Sequence, residues 1–474
     1  MRSPIEIASI SIVAVALTAC GPKGAETKVP DGSGPGGQAS QPDDGAAIPE
    51  ASAAAKTDFA AAVKTYHAIK QGGPLSGDAC ERAAGAFHEV YQAHGAPMAI
   101  AEFNAGVVRE QCGQTDKAEA IYEQLIAAVP KFDLAYNNLG VIYWKKGQEA
   151  KALELFKRGV EADKLTAQSA RNNVAGLLRN QYVGRADGGA FTEAERSLQT
   201  VLSIDSNNQT AYENLARIYY DRGRRRDKSY LVLANLVVTQ GLRVLKERGR
   251  ESPDLYNIQG LLLLEREDQV NALRAFKEAT RIEPGHVEAN LNIAFISIRF
   301  RDYATAEKVL QLALKDPRQA KNVEAHLALG VAQRGLKKFK DAESSYTLAL
   351  RLDATDPRPL FNLGVLYQDH ISTQDSVDEK ANVKLITVAK GHYDKFLAVA
   401  GADKKWKHEV LLVKDRIATI DESIRFAGVA ADLRAKAAEL AAQAKAAELA
   451  EQKRLLELER QAEDAEAKAA GTGQ

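Results

Sequence analysis

Cysteine occurs three times in the 474 residues, at positions 20, 80 and 112. A thiolate serves as a nucleophile, a metal ligand or half of a disulfide. No Cys-x-x-Cys brings two thiols together locally, and the eight histidines (67, 88, 94, 286, 326, 370, 392 and 408) are scattered. None sits in an HExxH, the spacing that puts two imidazoles on one helix face. Neither a phosphate-cradling GxxxxGK[ST] nor a Gly-x-Ser-x-Gly nucleophile turn occurs. No catalytic residue, metal ligand or cofactor is therefore expected, and His326 is expected to be a packed helix residue. What recurs is amide and guanidinium. Asn104, Asn138, Asn172, Asn214, Asn292 and Asn362 each hold the third place of a similar octet, and Arg222, Arg224, Arg225, Arg226 and Lys228 crowd one short stretch. An amide both donates and accepts, which suits the backbone or carboxylate of an extended peptide. A basic cluster suits an acidic partner or anionic head groups. Each also has a plainer role: the amides link neighbouring units, and the basic stretch is a solvated insert.

The charge balance narrows the partners. Lys+Arg and Asp+Glu both number 63, so the chain lacks the basic footprint of a nucleic-acid binder and no nucleic-acid partner is expected. Hydrophobic content of 45 % is ordinary for folded protein. Alanine is abundant and β-branched runs are scarce, which points to an all-α chain too long for one core.

The first twenty residues, MRSPIEIASISIVAVALTAC, place Arg2 ahead of an apolar stretch from Ile7 to Leu17. That stretch is short for a membrane span and fits the core of a secretory signal. Its end, Leu17-Thr18-Ala19-Cys20, resembles the bacterial lipobox, although Glu6 departs from the usual basic start. The resemblance implies that residues 1–20 are a lipoprotein signal and that Cys20 is lipidated. Gly21 replaces the aspartate that retains such proteins at the inner membrane. The implied location is the bacterial outer membrane, lipid-anchored and facing the periplasm. Residues 21–53 are rich in Gly, Pro, Ser and Asp and read as a disordered tether.

The recurring octet reveals the scaffold. YNNLGVIY begins at Tyr136, YENLARIY at Tyr212 and LFNLGVLY at Leu360. Related copies begin at Glu102, Tyr256, Asn290 and His326, and a degenerate one, ARNNVAGL, at Ala170. The basic period is 34 residues. Ala152 and Phe156, Ala272 and Phe276, and Ala342 and Tyr346 follow their octets at fixed distance, and Pro130 and Pro284 close two units. Each unit reads as two amphipathic helices. Gly140, Gly260, Gly330 and Gly364 let them approach, Phe156, Phe276 and Tyr346 pack toward the next unit, and proline ends the second helix. The pattern resembles the tetratricopeptide repeat (TPR). The expected fold is an all-α tetratricopeptide-repeat superhelical solenoid with a long C-terminal helix. Its array of about eight units spans 98–403, preceded by a helical cap or degenerate repeat at 54–97. Inserts fall near 180–190, 221–236 and 369–384, where binding faces often lie.

In that register Cys80 starts one helix and Cys112 ends the next, antiparallel one. Their ends lie side by side in an oxidising compartment, so a Cys80–Cys112 disulfide is predicted. Residues 404–474 read as a capping helix running into a long Ala/Glu/Lys-rich one. Its thin stripe (Leu433, Leu440, Leu449, Leu455, Leu456) breaks the heptad. It is either a solvated helix or a coiled coil formed with a partner.

Lipobox, tether, long array and Ala-rich end together resemble the TPR lipoproteins of the myxobacterial adventurous gliding machinery. That family implies a non-catalytic scaffold in a trans-envelope complex, with other envelope proteins as partners and the membrane engaged through a lipid. The alternative is a TPR lipoprotein for type IV pilus secretin or outer-membrane protein assembly. An enzyme with an unrecognised site is a third reading.

Overall fold

The computed structural model describes residues 48–165, 167–185, 188–374 and 376–471. Cys20, the signal and most of the tether lie outside them. Among the described residues the chain is helical, with short connections and no strand. It is an all-α TPR solenoid that divides into two compact units, residues 1–296 and 297–474.

The first unit begins with α1 (Ala53–Gln71) and α2 (Asp78–His94). Pairs follow: α3 (Ala99–Gln111) with α4 (Thr115–Ala128), α5 (Asp133–Lys145) with α6 (Glu149–Ala162), and α7 (Gln168–Arg185) with α8 (Gly188–Ile204). Then come α9 (Gln209–Arg225) with α10 (Ser229–Glu247) and α11 (Pro253–Leu264) with α12 (Gln269–Ile282). The division falls inside α13 (Val287–Arg299). The second unit continues with α14 (Tyr303–Ala313), α15 (Val323–Gly335) and α16 (Phe339–Leu352). Next are α17 (Arg358–Val365), a π-helical turn over Leu366–Ile371, α18 (Glu379–Ala400) and α19 (Lys407–Gly471).

Local chemistry sets the breaks. Five of the turns inside pairs pass through one residue at positive φ: Gly113 (72°) and Gly147 (78°) supply it, while Glu267, Arg301 and Lys337 adopt it near 60°. Asp268 and Asp302 then cap α12 and α14 by accepting the backbone N–H of Asn271 and Thr305. α4 stops at Ala128, two residues before Pro130, and α12 at Ile282, two before Pro284.

Within a pair, a glycine receives an aromatic ring. A Cβ on Gly140 would stand 2.6 Å from Phe156, and one on Gly260 would stand 2.5 Å from Phe276. The rings of Phe156 and Phe276 therefore pack inside their own pair, and Tyr346, set on Gly330, also shares a buried cluster with Leu363 and Leu366 of the next unit. A flat ring fits the groove only where the facing helix carries no side chain. A polar tip also reaches onward: Asn138 Nδ2 on α5 donates to the hydroxyl of Tyr122 on α4 (3.2 Å).

The inserts lengthen helices. The stretch near 180–190 extends α7 and opens α8, that at 221–236 is absorbed by the end of α9 and the 19-residue α10, and that at 369–384 forms the π turn and the start of α18. The disulfide Cys80–Cys112 joins the first turn of α2 to the C-cap of α3. α1 and α2 form a helix pair whose core around Phe59, Tyr66, Phe87 and Val90 continues into α3 at Ala101, Ala105 and Val108.

Candidate protein-interaction surfaces

First helices of successive pairs touch one another, α5 to α7, α7 to α9 and α9 to α11, forming an inner layer in the first unit. The repeated asparagines lie on α3, α5, α7, α9, α13 and, in the second unit, α17. Asn104, Asn138, Asn172, Asn292 and Asn362 are buried and Asn214 is half-buried. Their amides bond within the chain. Asn172 Nδ2 donates to Asn208 Oδ1 (3.2 Å), Asn214 Nδ2 to the Asn172 carbonyl (3.5 Å), and Asn292 Nδ2 to Asn257 Oδ1 (3.1 Å). Asn362 Nδ2 turns back to the Arg358 carbonyl (2.9 Å). Asn138, Asn172, Asn214 and Asn292 thus bond to neighbouring repeats, whereas Asn362 turns back within α17.

A second asparagine carries the ladder on. Asn173 Nδ2 donates to Asn137 Oδ1 (2.8 Å), and Asn137 Nδ2 to Asn138 Oδ1 (3.2 Å). Asn173 pairs with a residue 36 positions earlier, so Gly176 stands where Gly140 does. The degenerate copy therefore runs two residues later than the octet drawn from Ala170.

Buried ions extend the inner layer. Arg179 Nε on α7 meets Asp221 on α9 at 2.5 Å. Arg217 on α9 meets Asp254 on α11 (3.3 Å) and Glu288 on α13 (2.8 Å). His286 accepts the Ala289 N–H and sits 3.4 Å from Asp254. His326 meets the Ala320 carbonyl at 3.0 Å and packs in its helix. Such pairs cost desolvation on both sides and fix which helix face meets which. Sequence reading missed them, because the ion pairs join residues at least 32 positions apart in the chain and carry no local signal.

One acid is strained. Burial, then the nearby Asp163, pushes the Asp133 carboxyl up to about 7. Its folded value exceeds its unfolded one, so the folded state holds the extra proton between about pH 4 and 7 and stability falls as pH rises through that window. Above it the penalty is complete. Asp133→Asn should raise thermal stability at pH 8 by about 2 kcal/mol, allowing for screening of a half-buried group, with the gain vanishing near pH 4. Melting curves across that range check the slope.

Part of the basic insert folds back onto the chain. The Arg222 guanidinium lies over the rings of Phe191 (4.2 Å) and Tyr230 (4.6 Å). Arg224 pairs with Glu265 (2.8 Å), and Arg225 donates to the Val183 carbonyl (2.9 Å). Arg226 and Lys228 are exposed at the turn into α10. Arg224 and Arg225 are exposed as well, so four of the five cations stand at the surface and only Arg222 is half-buried. Next to them α10 exposes Val232, Leu233 and Leu236. The run SYLVLANLVV carries more apolar residues than one packed face needs, which was the available signal for that patch.

The second unit ends on a different surface. Arg416 on α19 reaches Gln368 (2.7 Å) and Asp369 (3.0 Å) in the π turn, and Val413 and Ile420 are buried. The capping segment is therefore real packing. From residue 431 to 465 every side chain of α19 is exposed. No helix among the described residues is long and apolar enough to cross a membrane, and among them no group of His, Cys, Asp and Glu is placed to hold a metal ion.

Paired helices, a glycine–aromatic lock and a repeated polar ladder are what a sequence comparison then names. Tetratricopeptide-repeat profiles match residues 103–165, 263–329 and 323–356. The chain carries tetratricopeptide repeats. The TPR is a protein-interaction module and typically non-catalytic. The chain is similar to the "BBSome complex member BBS4" of Bos taurus, 27 % identical over 291 residues, 59 % of this chain and 51 % of that protein. The Mus musculus counterpart is 27 % identical over 276 residues, covering 56 % and 46 %. The chain thus spans about half the length of the curated relatives it matches. Among solved structures it is similar to MamA from Desulfovibrio magneticus RS-1 at 17 % identity, covering 41 % of this chain and 97 % of that one, with a TM-score of 0.33. It is also similar to Pseudomonas aeruginosa pilF at 17 % identity, covering 48 % and 96 %, with a TM-score of 0.39. YrrB, described as a TPR protein with an unusual peptide-binding site, shows 17 % identity, covers 44 % and 97 %, and has a TM-score of 0.30.

Proposed function

We propose that this TPR protein is a non-catalytic scaffold held at the bacterial outer membrane by a lipid on Cys20, facing the periplasm. There it docks components of a trans-envelope complex of the gliding-motility kind. The observation that carries the scaffold reading is where the chain spends its polar groups. Asn137, Asn138, Asn173, Arg179 and Arg217 are buried and join repeat to repeat, so the repeats build a rigid frame. Docking falls to the apolar surface that remains exposed, on α10 and α19. The lipobox residues Leu17-Thr18-Ala19-Cys20 support the anchor. The curated relatives are members of a complex, which fits a component rather than a lone enzyme.

Two measurements test the reading. Cys20→Ala should move the protein from the outer-membrane fraction to the soluble periplasm, and retention at the membrane would reject the lipid anchor. Cross-linking in intact cells followed by affinity purification should recover motility proteins of the envelope. Recovery of pilus-secretin or barrel-assembly components instead would move the scaffold to one of those machines.

A further inference from the structure

α19 runs for 65 residues, and only its first part is covered. At about 100° per residue, Phe426, Val429, Leu433, Leu440, Leu455 and Leu458 fall within an arc of roughly 80°. All six are more than half exposed, from 52 % at Leu458 to 76 % at Phe426. Alanines at 437, 444 and 447 fill the gaps in the same arc. The buried Val413 and Ile420, which face α18, lie on nearly the opposite side of the helix, in line with Leu449 and Leu456. The apolar stripe therefore looks away from the body along its whole length. Its spacing is the helix's own period, or eleven residues (Val429 to Leu440, Ala444 to Leu455), which is why a heptad test fails.

The charges say what covers it. Residues 425–445 hold four basic and two acidic side chains, whereas 448–464 hold three basic and six acidic. We propose that the stripe is covered by the same stripe of a second copy of this chain, running antiparallel, with the two-fold axis near position 442. In that register Phe426 meets Leu458 of the other copy, Val429 meets Leu455, and Leu440 settles on Ala444. Alanine at the centre lets the helices approach closely. The flanks agree. Asp432 and Arg454 lie on one flank and come opposite each other, and Arg434 and Glu448 do so on the other. The two-fold axis repeats each pair, so four ion pairs border one continuous apolar seam. Arg434 also touches Glu379 of α18 through one nitrogen, and its side chain is 68 % exposed. A parallel, in-register pairing would instead set Glu451 against its own copy inside the seam, whereas the antiparallel register sets it opposite Leu433.

The test uses the full chain in mild detergent, followed by sedimentation velocity over a dilution series. A dimer is expected. Asp432→Arg or Arg454→Asp alone should weaken it at least tenfold, and the two together should recover it to within about threefold. These residues are exposed in the monomer, so folding is not at issue, and unchanged helix content by circular dichroism verifies this. Phe426→Cys with Leu458→Cys should cross-link two copies on oxidation, whereas Phe426→Cys alone should not, because those positions lie about 48 Å apart along the antiparallel pair. A chain that stays monomeric at 100 μM overturns the proposal. So does a double charge swap without recovery, or cross-linking by Phe426→Cys alone, which would indicate a parallel pair.

Discussion

Gly140→Leu is expected to open the α5–α6 pair and lower stability by about 3 kcal/mol or more. Even the first carbon of a side chain there would lie 2.6 Å from the ring of Phe156, and that ring is fully buried. Neither partner can yield. Glycine is present because the two backbones approach to within one aromatic thickness, and an added isobutyl group must push α6 away from α5. In a stacked array each pair is stabilised by its neighbours, so the damage should spread to α4 and α7. Phe156→Ala alone should cost about 3 kcal/mol through the cavity it leaves. The double variant should cost at least 1 kcal/mol less than the two single losses added, because the leucine can enter the space the ring vacates. Urea unfolding of the full chain, followed by helix content, measures all three. Strict additivity would show that residue 140 and the ring do not share that space.

The second large effect is expected at Arg217. Its guanidinium joins carboxylates on two successive first helices, Asp254 on α11 and Glu288 on α13, and the side chains of Arg217 and Asp254 are each 8 % exposed. Arg217→Ala should cost about 3–5 kcal/mol, because two carboxylates are left where water reaches them poorly. The surface pair Lys157–Glu193 gives the contrast, with both side chains more than 40 % exposed. Lys157→Ala should cost less than about 0.5 kcal/mol and lose even that in 1 M salt. Equal losses at the two sites, or a loss at Arg217 that salt abolishes, would mean that the inner layer is wetter than its burial implies.

These two sites differ in how far the sequence revealed them. Gly140 and Phe156 belong to a code written several times, so spacing alone marked them as the contact between two helices. Their mutual partnership was not legible. Periodicity says which face of a helix is apolar and leaves open which neighbour covers it. Arg217 looked like any other arginine on a polar helix. Its carboxylates come from other repeats, and only the stacking angle brings them within 4 Å. The recurrent asparagines fall between these cases. Their recurrence was visible, and so were both of their roles. Burial is what the sequence did not show: five of the six are buried, and Asn138, Asn172 and Asn292 bond to neighbouring repeats.

The basic insert follows the same logic. Five cations in seven residues read as a solvated insert or a docking cluster, and four of them are exposed, while Arg222 lies over two aromatic rings. A long side chain with a planar cation can fold back onto rings supplied by α8 and α10, and sequence spacing does not record that return.

The amino-acid sequence by itself determined the unit, its period, its helix breaks and the all-α class, because glycine, proline and alternating apolar faces act within a few residues of where they stand. The tertiary structure decided which polar groups are used up inside the stack and which apolar ones stay outside. Burial depends on what arrives from 30 or more residues away, and along α19 it depends on whether anything arrives at all.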